Sequence, residues 1–138
     1  MKLAFVFAAL LLCALPAQAQ TPVTVTSTSQ VTFSASPDHA VVDSFGAQVV
    51  TRYDLETVAM NALGVVVFTQ QLGKPTPVSN NITVGIAATV AALTGGTVYQ
   101  AKVAAVGPGG VGRSALSNPF GVPSVPKVPA PTGTPVIQ

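Results

Sequence analysis

The sequence predicts an all-β sandwich of about seven short strands. Three observations predict it. Apolar residues recur with period two in several segments, and no segment shows the 3.6-residue apolar period of a capped helix. Val, Ile, Thr, Tyr and Phe gather in short runs bounded by Gly, Pro, Asn and Asp. Turn punctuation is dense, with 12 glycines and 12 prolines in 138 residues, as a chain that reverses direction often requires.

The first segment lies outside the fold. Met1-Lys2 is a short basic end, and Leu3 to Leu15 is an apolar run of 13 residues closed by Pro16. Ala17-Gln18-Ala19 offers small residues where a signal peptidase reads. Residues 1–19 are therefore expected to be a secretory signal peptide cut after Ala19. The alternative, a membrane anchor, needs about 20 apolar residues. Cys13 follows Leu12 rather than the small residue that lipid attachment needs, so it belongs to the apolar run. The mature chain then has no cysteine, and its stability must rest on a hydrophobic core. About 119 residues suffice for one such core.

The strands follow in order. Pro22 to Thr28 alternates Val23 and Val25 with Thr24 and Thr26. Val31 to Ala35 alternates again, and Ser36-Pro37-Asp38 turns it. Ala47 to Val58 places Val49, Tyr53, Leu55 and Thr57 near one parity. Leu63 to Gln70 is a β-branched run entered through Gly64. Gly73 to Asn81 is a loop, because Pro75 and Pro77 exclude a central strand. Ile82 to Leu93 is rich in Val, Ile and Ala. Its Ala87–Ala92 part has helical propensity, but Thr89 and Val90 oppose that, and the reading favours strand. Thr97 to Val106 is the cleanest strand, with Tyr99, Ala101, Val103 and Ala105 on one face. Arg113 to Phe120 is the last. Residues 20–120 thus form the domain.

Residues 121–138 are a proline-rich tail. Val122-Pro123-Ser-Val-Pro126-Lys-Val-Pro129-Ala-Pro131 repeats proline every two or three residues. Such a segment is expected to be extended or unstructured and to serve as a spacer, as a ligand for an aromatic-lined groove, or as an inert linker.

Charge excludes some functions. The mature chain carries five basic residues (Arg52, Lys74, Lys102, Arg113, Lys127) and four acidic ones (Asp38, Asp43, Asp54, Glu56), a net of +1. Nucleic-acid binding needs clustered Lys and Arg, and no cluster exists in the sequence. His39 is the sole histidine. A metal site would need several carboxylates around it, and only Asp38 and Asp43 are near in sequence. A Ser-His-Asp triad would also have to use His39, without a Gly-x-Ser-x-Gly nucleophile turn. Asp54 and Glu56 share one strand face, as glycoside hydrolysis would use, but Arg52 shares it too and neutralises them. Gly107-Pro108-Gly109-Gly110-Val111-Gly112-Arg113 is not a phosphate loop, since no Gly-Lys-Ser/Thr leads into a helix. Asn81-Ile82-Thr83 is a glycosylation sequon, expected to be unused because the short signal looks bacterial. The chain is expected not to be an enzyme and to need no cofactor.

Leu93 and Tyr99, the strand that follows and the glycine-rich turn after it resemble a fibronectin type III domain over residues 21 to 120. The resemblance implies an immunoglobulin-like β-sandwich of seven strands. Leu93 and Tyr99 match that family's tyrosine corner, in which a buried ring anchors the core and its hydroxyl bonds back to the loop backbone. Phe33 stands where the family usually has tryptophan, and Tyr53 matches its strand C tyrosine. Gly107 to Arg113 stands at the family's FG loop, without the arginine-glycine-aspartate tripeptide that this loop can carry. The resemblance implies non-catalytic binding, adhesion or display, through Pro37–Ala40, Gly73–Asn80 and above all Gly107 to Arg113. The expected partner is a protein or glycan surface ligand, with no membrane span in the mature chain. The expected location is secreted or on the cell-envelope exterior, and periplasmic in a Gram-negative source. The alternatives are a subunit or spacer of a larger cell-surface or virion assembly, and an accessory module of carbohydrate-active enzymes. The exposed edges at Pro22–Thr28 and Ser114–Phe120 are further candidates for pairing with a partner strand, and Pro22 and Pro119 guard them.

Overall fold

Runs of alternating side chains with β-branched members extend the backbone, and the apolar parity of each run then selects the face it buries. In the computed structural model, which describes residues 20–62 and 64–124, these runs form eight strands and one short helix. They are β1 Val23–Thr24, β2 Gln30–Ser34, β3 Arg52–Ala59, β4 Val66–Gly73, β5 Asn81–Gly85, α1 Ala87–Ala92, β6 Val98–Gly107, β7 Gly110–Arg113 and β8 Phe120–Gly121. The larger sheet has the order β1-β8-β6-β3-β4, with β7 also paired to β6, and the second sheet is the pair β2-β5. Only the β1–β8 pairing is parallel. The expected signal peptide and the tail from residue 125 onward lie outside the described residues.

The core lies between the two sheets. Tyr53 and Leu55 on β3 and Tyr99, Ala101 and Val103 on β6 point into it, against Ile82 of β5. Register fixes the layers, with Leu55 opposite Val103 and Thr57 opposite Ala101. Phe33 packs on Tyr53 with ring centroids 5.3 Å apart, and Tyr99 on Phe120 at 6.0 Å. Phe33 thus reaches the core from β2, although it is only half-buried. The hydroxyl of Thr57 is buried without a hydrogen-bond partner among the described residues.

Four sequence expectations are corrected. Ala87–Ala92 is helix, not strand. Its alanines favour the turn, the Val90 amide donates to Ile86 O at 2.9 Å, and Gln70 of β4 holds it from outside. The Gln70 side-chain oxygen accepts both the amide and the hydroxyl of Thr89, at 3.0 and 2.7 Å. Two opposing β-branched residues are therefore overridden by one tertiary contact. Second, Ala47 to Val49 is not part of the strand that carries Tyr53. It belongs to a separate small hairpin, bridged at Val42 and Gln48. Third, the last strand is broken. Between β7 and β8, Ser114 and Ser117 donate their amides to Val103 O and Ala101 O, at 2.9 and 2.7 Å, and their side chains supply the return bonds. Their hydroxyls accept the Val103 and Ala101 amides, each at 3.0 Å. Fourth, the folded body passes Phe120. Gly121 pairs with Val98, and the Gly96 amide donates to Val122 O at 3.0 Å. A side chain at Gly95 would place its Cβ 2.6 Å from the Pro123 carbonyl oxygen. That close approach explains why glycine follows Thr94.

No helix among the described residues is long and apolar enough to cross a membrane.

Candidate functional site

Strand register brings three connections to one end of the sandwich. Ser34 pairs with Asn81, Tyr53 with Gly73, Arg52 with Val106, and Gly107 with Gly110. The connections 35–51, 74–80 and 108–109 therefore leave the strands side by side. The three loops singled out in the sequence converge there.

The longest connection is anchored at its start. The Ser36 amide donates to the Tyr53 hydroxyl at 3.0 Å, and Nδ1 of His39 lies 3.0 Å from the same oxygen. The imidazole stacks on the Tyr53 ring, with centroids 5.7 Å apart and planes 13° from parallel. The Ser36 amide donates to the phenolic oxygen, which still has both a proton and a lone pair with which to bond His39 Nδ1. His39 is thus a half-buried structural partner rather than a solvated turn residue.

Beyond it the chain forms a braced hairpin. The Val49 amide donates to Val41 O at 3.0 Å and the Asp43 amide to Ala47 O at 2.8 Å. One carboxylate oxygen of Asp43 accepts the amides of Phe45 and Ala47, at 2.9 and 2.8 Å. Gly46 takes the left-handed conformation that closes the turn, at φ 80°. Aspartate is suited to this because its short side chain reaches its own following amides. The consequence is that Phe45 is held at the tip with 93% of its surface exposed, flanked by exposed Val41 and Val42. A phenyl ring fixed outward by backbone hydrogen bonds has no internal partner to bury it.

The other two connections support this tip. Lys74 Nζ donates to the Gln48 side-chain oxygen at 2.8 Å. Val78 and Asn81 exchange amide bonds at 2.8 and 2.9 Å around Ser79 and Asn80, both at positive φ, which presents an exposed Val78. The glycine-rich segment is a tight hairpin rather than a loop. Gly107 packs on the Val49 carbonyl so closely that a side chain there would collide with it. Gly110, Val111, Gly112 and Arg113 form β7, leaving only Pro108 and Gly109 at the turn.

Arg113 is engaged within the fold. Its guanidinium donates to Glu56 through Nε at 2.9 Å and Nη2 at 3.0 Å, while Lys102 Nζ lies 3.4 Å from the same carboxylate. The Arg113 hydrogen bonds hold the Glu56 carboxyl below its ordinary range, with Lys102 adding to the effect and partial burial opposing it. Arg52 Nε pairs with Asp54 at 3.1 Å. The two carboxylates that share a face are thus each paired with cations, as structural groups. Tyr99 is a core anchor. Its hydroxyl accepts the Thr94 amide at 3.1 Å and donates to the Thr94 carbonyl at 3.2 Å. Leu93 packs against the same core. No group of three or more His, Cys, Asp or Glu side chains gathers among the described residues.

The tip at Phe45 is what the sequence reading missed. The signal available was Asp43-Ser-Phe-Gly46, an aspartate-to-glycine turn pattern carrying an aromatic residue. No protein-family model matches the chain, and no curated protein matches it.

Proposed function

We propose that this chain is an exported, non-catalytic binding or display module of fibronectin type III-like build. It engages a protein or glycan surface through the end that presents Phe45. The observation that carries the reading is the exposed Phe45 ring on an aspartate-braced turn, beside the exposed Val78 of the 74–80 connection and the exposed Val111 of β7. Rigid aromatic anchors lose little entropy on binding and dominate recognition surfaces. The fold reading is supported by the order β4-β3-β6-β7 facing the pair β2-β5, and by the hydroxyl of Tyr99 returning to Thr94. Export is supported by the composition of residues 1–19, and N-terminal sequencing of protein from the medium or periplasm tests it. The expected first residue is Gln20. Binding is tested by retention of material from the exporting culture on immobilised wild-type and Phe45→Ser protein, with loss in the variant expected.

A further inference from the structure

The smaller sheet has one edge closed and one open. On β5, Asn81 exchanges backbone bonds with Val78, and the Gly85 carbonyl accepts Gln70 Nε2 at 3.0 Å. On β2, the Ser29 carbonyl accepts the Ile86 amide, and the Ala35 amide donates to Asn80 O. By antiparallel alternation Val31 and Phe33 also bond β5, so the amides and carbonyls of Gln30, Thr32 and Ser34 point away from it. β2 pairs only with β5 among the described residues. Its sequence Gln30-Val-Thr-Phe-Ser34 holds neither charge nor proline, the usual guards of a free edge.

An apolar groove follows this edge along its whole length. At the Ser34 end it holds about 380 Å³ between Phe33 and Gly112, over Tyr53, Val103 and Ala105. It continues between Val31 and Ser114, over Leu55 and Ala101, with about 170 Å³, and ends beside Gln30 and Phe120 with about 160 Å³. Neighbouring parts share Phe33 and Val103, then Val31 and Leu55, so the groove is continuous. No carboxylate lines it, and its two cations, Arg113 and Lys102, are turned to Glu56. The groove therefore suits an uncharged occupant. It is also narrow. β7 extends the larger sheet beyond β6 on the far side of the groove. A second copy offering its own β2 would bring its own β7 into that space, whereas a single strand fits. A strand of about five residues, at roughly 3.3 Å each, covers β2. Its backbone would meet the outward groups of Gln30, Thr32 and Ser34, and every second side chain would fall into the groove.

We infer that the free edge of β2 is a docking site for one extended, uncharged peptide segment of a partner protein, whose alternate apolar side chains fill the groove. The probe is a synthetic capped peptide, acetyl-Thr-Val-Thr-Val-Thr-Val-Thr-amide, beside the same peptide with proline at the central valine. The readout is residue-resolved amide exchange on the mature full-length protein. With the valine peptide in excess, the Thr32 and Ser34 amides should exchange at least about tenfold more slowly, with β3 and β6 amides unchanged. The proline peptide should have no effect, and Val31→Lys, which points a charge into the groove, should abolish the response. Unchanged Thr32 and Ser34 amides at about millimolar valine peptide would overturn the inference. So would an equal effect of the proline peptide, or a full response in Val31→Lys. Protection present without peptide would overturn it too. If constant over roughly a hundredfold range of protein concentration, such protection closes the edge within the chain, and if it grows, it gives the edge to a second copy. None of these outcomes depends on whether Phe45 binds a partner.

Discussion

Tyr53 and His39 touch twice, by a stack with ring centroids 5.7 Å apart and by a 3.0 Å contact between the phenolic oxygen and Nδ1. Tyr53 is 1% exposed, so this contact ties the loop end to the most buried part of the core. Its hydroxyl also receives the Ser36 amide, at the point where the chain leaves β2. Tyr53→Phe should therefore cost about 1 kcal/mol, because the half-buried Ser36 amide can partly turn to water. A urea titration measures the loss, and amide exchange at Ser36 should rise with it. An unchanged Ser36 amide would show that the anchor does not hold the loop.

Tyr99→Phe should cost more. Its hydroxyl makes two bonds to one backbone unit, the amide and carbonyl of Thr94. Both lose their partner, so the expected loss is about 1–3 kcal/mol with the urea slope unchanged. A loss below about half a kcal/mol would mean that the corner adds nothing to stability.

The glycines at the β6–β7 hairpin separate into two kinds. Gly107→Ala pushes a methyl group into the Val49 carbonyl, and backbone cannot move aside as a side chain can. The expected loss is about 2 kcal/mol or more. Gly109 has open space around its Cβ direction, so Gly109→Ala should change stability by no more than about 0.5 kcal/mol. Thermal midpoints of the two variants test the contrast, and equal midpoints would contradict it.

Glu56 makes stability depend on acid pH. The hydrogen bonds from Arg113 lower its carboxyl in the folded state. A lowered carboxylate stabilises fully above its unfolded value and loses that contribution as pH falls through the folded one. Unfolded glutamate titrates near pH ~4.3, so the loss begins there and continues below. Denaturation midpoints of wild type and Glu56→Gln should differ at neutral pH and converge as pH drops below that range. High salt should narrow the neutral gap, because the Arg113 side chain is 48% exposed. A gap that stays constant with pH would remove Glu56 as its source.

The parts of the fold that rest on local pattern could be read from the chain. The alternation through Tyr99, Ala101 and Val103 marked β6 and its buried face. The resemblance of Leu93 and Tyr99 to a tyrosine corner implied a hydroxyl that bonds back to the loop backbone, and that hydroxyl meets Thr94. What escaped depends on residues far apart in sequence. Helix α1 is held by Gln70, which no local propensity can announce. Arg113 looked available at the end of a glycine run, but Glu56, distant in sequence and two strands away, takes its guanidinium. Gly107 looked like loop flexibility and is instead a contact with Val49. Phe45 lay between segments assigned to turn and strand. Its exposure follows from two amides held by Asp43, a detail of geometry rather than of hydrophobic period.

The central claim is that the end of the sandwich carrying Phe45 is a recognition surface. Phe45→Ser removes an apolar ring that touches little of the fold, so stability should hold within about 0.5 kcal/mol. The direct measurement is quantitative retention of surface material from the exporting culture by immobilised Phe45→Ser, beside wild type and a Lys102→Gln control on the sheet face. The account predicts at least about a tenfold loss of retained ligand for Phe45→Ser and little change for the control. Equal retention by Phe45→Ser and wild type would contradict it.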